Sequence, residues 1–411
     1  FPSGAIAWRI SEENFLNMVE WIDEIKVRAS MGKTGTQSIG DHMWRTLYSP
    51  VSYGDKNALI PTQLGNDKIK WESTVQKDLG LDFSFMRGRL GGTFGYYHKV
   101  TDGTLLNMTP APSSSYSTVV FNIAKIRNQG LEFDIHGDFI RKKDFRWTGN
   151  LNISRNVSKV LDINGGPFSD PNDRDAMNLG TSVVKEGEPL GLLYGRVATG
   201  IIKTQAQLEA AREEFSLWTI FDPYLNLGDI AYEYEDGFWK EDVIGHATPD
   251  FFGGYTNTIN WNRFTLTALF TFSYGNDLIY QKDVSDSGMS SLANRGTRVL
   301  NHYSEDNTSS NRPRSMWATT YMLSSLNVYD ASYLKLKTLS LSYNLPESIC
   351  RKVRIKSASV YGTATNVFTI TSYPGPDPEV SDDPTSVIGG GRDVSTYPTV
   401  KSYTFGIRIN F

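Results

Sequence analysis

The last ten residues alternate strictly. Tyr403, Phe405, Ile407, Ile409 and Phe411 are apolar, and Ser402, Thr404, Gly406, Arg408 and Asn410 between them are polar or small. A period of two is that of a half-buried β-strand, and a terminal amphipathic strand suits either a closing barrel strand or the end of a soluble sheet. Residues 263–275 repeat the pattern: Phe264, Leu266, Ala268, Phe270, Phe272 and Tyr274 share one face, and Leu269 is the one interruption. In residues 333–343 the apolar positions are even at Leu334 and Leu336 and odd at Leu339, Leu341 and Tyr343, which predicts a β-bulge near Lys337 and Thr338. Similar strands are predicted over 25–34, 72–85, 89–100, 123–140, 145–158, 250–261 and 356–373, roughly ten in all.

The connections alternate in length. Short links fall at 86–88, 141–144, 262–263 and 346–352, and long ones at 35–71, 101–122, 159–249, 280–332 and 374–401. Transmembrane β-barrels join strands by short periplasmic turns and long outer loops, whereas a sandwich mixes lengths at both ends. With Phe411 at the periplasmic rim, every short link falls in the periplasm, and Trp147, Trp261 and Phe411 are expected near the inner interface, where aromatic girdles sit. The even residues of 264–274 and the odd residues of 403–411 are expected to face lipid. In the longest outer segment Leu208, Ala211 and Phe215 recur at helical spacing and predict a short helix over 205–215.

Composition agrees. Aromatics make up 12% of the 411 residues and glycine contributes 36, a mixture of strand and turn formers. A mean hydropathy of -0.35 and the absence of a long apolar run exclude a membrane helix but not a barrel, whose alternating strands average out as hydrophilic. A net charge of -4 gives no basic excess, so nucleic acid is not an expected partner. The single Cys350 excludes an internal disulfide, and His42, His98, His136, His246 and His302 never fall at metal-ligand spacing, so no metal site and no cofactor is expected. The chain opens on FPSGAIAWRI, without Met or a signal-peptide pattern, which suggests that processing or truncation removed the true start.

No catalytic motif is present: there is no G-x-S-x-G, H-E-x-x-H, Walker loop or Rossmann glycine pattern, so the chain is not read as an enzyme. Gly389-Gly390-Gly391-Arg392 reads as a flexible turn, and Asp377, Glu379, Asp382 and Asp383 as a solvated acidic loop in preference to a calcium or sugar site. The candidates for ligand contact are the loop aromatics Trp44, Tyr48, Trp218, Trp239, Trp317 and Tyr321, because sugar rings and apolar side chains both stack on them.

The chain resembles the SusC/RagA-like TonB-dependent outer-membrane transporters of Bacteroidetes. The likeness runs through FPSGAIAWRISEENF, IKVRASMGKTG, IKWESTVQKDLGLDFSF, RLGGTFGYYHKVTDGTLL, NIAKIRNQGLEFDIHGDF and FRWTGNLNISRN, then GDIAYEYEDGFW, VIGHATPDFFGGY, VYDASYLKLKTLSLSYNLP and TNVFTITSYPGPDPEV. The resemblance implies an all-β, antiparallel transmembrane barrel of about 22 strands. Residues 1–411 would be its C-terminal portion of about ten strands, with plug and TonB box outside the chain and the remainder of the barrel needed to close it. It implies a multi-pass protein of the Gram-negative outer membrane that imports oligosaccharide or peptide with a SusD-like lipoprotein. TonB would be engaged through the N-terminal part, lipid and lipopolysaccharide would surround the wall, and a dimer of transporter–lipoprotein pairs fits the family pattern. Many members carry an EF-hand-like D-x-N-x-D-G loop after the GDI segment; here the positions read Tyr232, Tyr234, Asp236 and Gly237, which argues against calcium there. The reading from another class is a soluble all-β glycan-binding module or a secreted glycan-active enzyme.

Overall fold

The computed structural model describes residues 1–16, 18–36, 41–108, 113, 116, 119–163, 176–214, 225–288, 294–315, 321–383, 386, 388 and 390–411. Eleven strands form one antiparallel sheet in chain order: β1 (Ser3–Arg9), β2 (Ile22–Thr36), β3 (Glu72–Phe85), β4 (Leu90–Met108), β5 (Val119–Arg141), β6 (Phe145–Asp162), β7 (Phe251–Trp261), β8 (Phe264–Tyr274), β9 (Tyr333–Asn344), β10 (Ser357–Thr371) and β11 (Ser402–Asn410). All ten strands expected from the sequence are present. The eleventh, β1, escaped notice because it is short and alternates small Ala5 and Ala7 with Ile6 and Trp8. β4, β5 and β6 run well past their expected ends, so much of 101–122 is strand and not loop.

Pairing carries one apolar row across ten strands: Trp8, Val27, Leu81, Phe94, Phe133, Ile153, Gly253, Phe272, Leu334 and Ile370 are successive cross-strand partners. One residue along, the row is polar: Lys26, Asp82, Thr93, Asp134, Asn152, Gly254, Thr271, Lys335 and Thr369. Register therefore fixes a wall with one apolar and one polar face. The even residues of β8 and the odd residues of β11 share the apolar face, since Ala268, Leu339, Ala364 and Tyr403 are successive partners. That face has no core over it: Ile6 is 73% exposed, Ile370 62%, Phe405 82% and Ile407 67%. In β9 the register shifts between Leu336 and Thr338 against both neighbours, which is the expected bulge at Lys337.

The short links follow local turn chemistry. Asn262-Arg263 joins β7 to β8 with Asn262 at φ 53°, a left-handed position that asparagine tolerates. The 346–352 link is a short helix, α3 (Glu347–Lys352). Aromatic pairs line this end of the wall: Trp21 with Phe85 (ring centroids 5.4 Å), Phe139 with Trp147 (5.0 Å), Trp261 with Phe264 (6.4 Å) and Phe264 with Tyr343 (4.7 Å).

The long links build a second layer at the other end, and the buried cores lie there. One core packs Val119, Ala124 and Ile126 of β5 and Val160 of β6 against Met177, Val184 and Leu190. Small sheets complete the layer, among them Asp277–Tyr280 between Val328–Asp330 and Arg392–Asp393. The helix expected at 205–215 is α1 (Gln205–Glu214); its Thr204 Oγ1 accepts from the Gln207 amide at 3.2 Å while Gln207 Oε1 accepts from the Thr204 amide at 3.0 Å, a capping box, and Leu208 is buried.

Candidate ligand-contact surface

The four loop aromatics among the described residues, Trp44, Tyr48, Trp239 and Tyr321, do not converge. Trp218 and Trp317 lie outside the described residues. Trp44 and Tyr48 belong to a two-stranded hairpin, Leu47–Tyr53 with Lys56–Gln63, and its approach; both are exposed, and the Arg45 guanidinium stacks 4.4 Å from the Trp44 ring. Trp239 stacks on Arg196 at 4.4 Å, so one of its faces is already covered.

Tyr321 is 5% exposed and structural. Its hydroxyl donates to Asp229 Oδ1 at 2.9 Å, and the same carboxylate receives Arg314 Nε at 2.7 Å. Burial, then the Asp229 charge, push the Tyr321 phenol far up. Nearby Tyr232 is pushed up to about 12, chiefly by burial. These tyrosines pack with Ile201 and Ile230 in a core of the outer layer. The signal that separates Tyr321 from Trp44 is its pairing with Asp229, 92 residues away, which no local pattern carries.

The acidic segment after β10 is not a solvated loop. Lys335, 1% exposed on the polar face of β9, donates to Asp377 Oδ1 at 2.9 Å and also to Glu379, which Lys337 Nζ reaches at 2.6 Å and the Tyr333 hydroxyl at 3.1 Å. Burial raises both carboxyl groups, but hydrogen bonds from Lys335, joined by Thr399 for Asp377 and Lys337 for Glu379, outweigh it and hold both below the usual carboxylate range. Asp382 pairs with Arg392. Asp377 and Glu379 are thus tied down on the polar face of the wall, and Arg392–Asp393 extends a sheet beside Ile279 and Tyr280 instead of belonging to a loose turn, Gly389 lying outside the described residues.

The degenerate loop after Asp229 is a tight hairpin. Tyr234–Glu235 pairs with Phe238–Trp239 across Asp236 (φ 51°) and Gly237 (φ 81°), the two left-handed positions of a type I′ turn. Among the described residues no group of three or more His, Cys, Asp or Glu is arranged to hold a metal ion. A cavity of about 560 Å³ lies between α2 (Gln281–Gly288) and the 298–313 segment.

A wall of eleven antiparallel strands with one uncovered apolar face is the geometry of a membrane barrel, and residues 1–267 match the family model described as TonB dependent receptor-like, beta-barrel. The chain belongs to that family. Among its relatives, TonB-dependent receptor P3 of Formosa agariphila is 33% identical over the whole of this chain and 42% of its own length. TonB-dependent receptor SusC of Bacteroides thetaiotaomicron is 27% identical over all of this chain and 40% of its own. The chain thus spans about two-fifths of the curated receptors it matches. The solved RagAB peptide transporter superimposes with a TM-score of 0.79 at 23% identity, over 100% of this chain and 43% of that one, which confirms the fold. This TonB-dependent receptor chain is a protein of the outer membrane, its apolar face is the lipid face, and its relatives are receptors and transporters, not enzymes.

Proposed function

We propose that the complete polypeptide imports a bulky nutrient, an oligosaccharide or a peptide, across the outer membrane in a TonB-dependent cycle, and that residues 1–411 form one unit of it, the wall and outer loops. The observation that carries this is the register: one apolar row for lipid and one polar row beside it for a water-filled lumen, with a folded layer across the outer end. The unsatisfied edges of β1 and β11 pair with further strands of the same barrel, because an open edge cannot be left in hydrocarbon.

In this reading TonB acts through a part of the receptor that these strands surround. A SusD-like lipoprotein closes over the outer layer, and lipid and lipopolysaccharide cover the apolar row. Two such transporter–lipoprotein pairs form the dimer. The exposed Trp44 and Tyr48, together with Trp218, Trp239 and Trp317, contribute stacking surface to the captured ligand. A soluble binding module has no use for an uncovered apolar row ten strands wide.

Cell fractionation and uptake test the proposal together. The receptor is expected in the detergent-requiring outer-membrane fraction, and uptake of its nutrient is expected to stop when either the receptor or TonB is deleted. Recovery in the soluble fraction, or uptake indifferent to TonB, refutes it.

A further inference from the structure

We infer that the outward face of β2–β6, at the outer edge of the apolar band, binds the phosphate-bearing headgroup of an anionic lipid of the outer leaflet. The inference deepens the import reading and rests on it for which end of the wall faces out.

Three successive rows on the apolar face of these strands change character toward the outer end. The first runs through Ala29, Leu79, Tyr96, Leu131 and Arg155, and the second through Met31, Lys77, His98, Gln129 and Val157. The third is Lys33, Val75, Val100, Arg127 and Lys159. Lys33, Lys77, Arg127, Arg155 and Lys159 thus share one face with no carboxylate in the three rows; Asp102, opposite Ser73, and Asp162, opposite Lys125, come in the row beyond. Among the described residues none of these five cations forms an ion pair. Arg127 and Lys159 are direct cross-strand partners, a juxtaposition of like charges that destabilises a sheet unless an anion lies between them. Arg127 Nε is also buried without a hydrogen-bond acceptor among the described residues.

The unmatched charge is local. On the lumenal face of the same strands Lys26 and Arg28 share Asp82 at 3.3 and 3.2 Å, and Arg146 pairs with Asp138 at 2.8 Å. At the outer rim of β7 and β8 the outward pair is aromatic, Phe251 stacked on Tyr274 with ring centroids 5.1 Å apart. Height sets the cations level with a headgroup. Arg155 is ten positions beyond Phe145 of the aromatic belt and Lys159 fourteen, which at about 3.3 Å per residue and a tilt near 40° makes about 25 and 35 Å. The apolar band of such barrels is about 25 Å tall, so Arg155 lies at its upper edge and Lys159 above it. Lys77, eight positions beyond Phe85, starts about 20 Å up, and its long stem carries the ammonium further out. Acyl chains laid against Leu79, Tyr96 and Leu131 put a phosphorylated headgroup among Lys77, Arg127 and Lys159.

The test is lipid binding to the purified full-length receptor in detergent, followed by native mass spectrometry, with lipid A and the same glycolipid stripped of its phosphates as probes. The phosphorylated form is expected to bind more than about tenfold tighter. That preference should fall about fivefold in Lys77→Gln and in Lys159→Gln, and about 25-fold in the double variant. It should be unchanged in Lys99→Gln, which removes the same charge from the lumenal face opposite Gln76. Equal binding of the two lipids, or a preference that survives the double variant, overturns the inference. So does a loss in Lys99→Gln as large as in Lys77→Gln, and so does displacement of lipid A by millimolar inorganic phosphate, which would mark a site for a free anion. Binding in detergent needs neither TonB nor a nutrient, so a failure of import and a failure of this site are told apart.

Discussion

Replacing Phe270 by arginine places a cation on the lipid-facing row. Phe270 is the seventh of the eleven residues of β8 and lies opposite Tyr255 and Leu336. Measured from Phe264 in the aromatic belt, six steps of about 3.3 Å make about 20 Å along the strand, and a tilt near 40° leaves about 15 Å of height. The apolar band of such barrels is about 25 Å tall, so Phe270 sits close to its middle, where arginine costs about 2–4 kcal/mol. That is roughly a 30- to 1,000-fold loss in the folding equilibrium. Thr267→Arg, on the other face opposite Thr258 and Ser340, meets water and should stay within about 0.5 kcal/mol. Urea unfolding of the full receptor in lipid vesicles, followed by its heat-modifiable mobility, measures both. If Thr267→Arg proves as damaging as Phe270→Arg, the assignment of the faces is wrong.

The ion cluster at Lys335 makes attachment of the 377–399 segment depend on pH. The folded Asp377 and Glu379 lie below their usual values, so the native state binds fewer protons than the unfolded one, and the attachment is complete above the ordinary carboxylate range and weakens as pH falls below about 4. Lys335→Met removes the main source of the depression and should move the loss to higher pH; amide exchange around Glu379, corrected for intrinsic rates, would contradict this by showing an unshifted profile. Tyr321→Phe should cost only about 1 kcal/mol, because Arg314 still satisfies Asp229, whereas Asp229→Ala should cost about 3 kcal/mol or more by removing the buried carboxylate that Arg314 and the Tyr321 hydroxyl share. Exchange protection at Ile201 and Ile230 reads both, and equal losses would mean that the hydroxyl carries the cluster.

The wall was legible because a two-sided sheet writes its faces into the chain at period two, and the aromatic belt marks where each strand ends. Even the bulge showed, as a change from Leu336 to Leu339 in which positions are apolar. The outer layer was not legible, since its contacts join residues that share no local pattern: Arg314 reaches Asp229 across 85 positions, and Lys335 reaches Asp377 across 42. For the same reason the loop aromatics read alike although Tyr321 is core and Trp44 is surface, and the acidic segment read as solvated because the lysine that buries it lies on a different strand.

The extra residue in β9 decides where that lysine can be. Stepping by two from Leu341 and Leu339 without interruption would send Lys337 and Lys335 into the hydrocarbon and turn Leu334 and Leu336 toward the lumen. Lys337 breaks the count once, and beyond it the leucines rejoin the lipid row while Lys335 turns inward to Asp377. The anchor for the last outer loop is thus encoded in the phase of a strand as much as in the identity of a side chain. A length change of one residue on either side of this point trades a lumenal ion pair for a lysine in lipid, even though every amino acid of the anchor is still present.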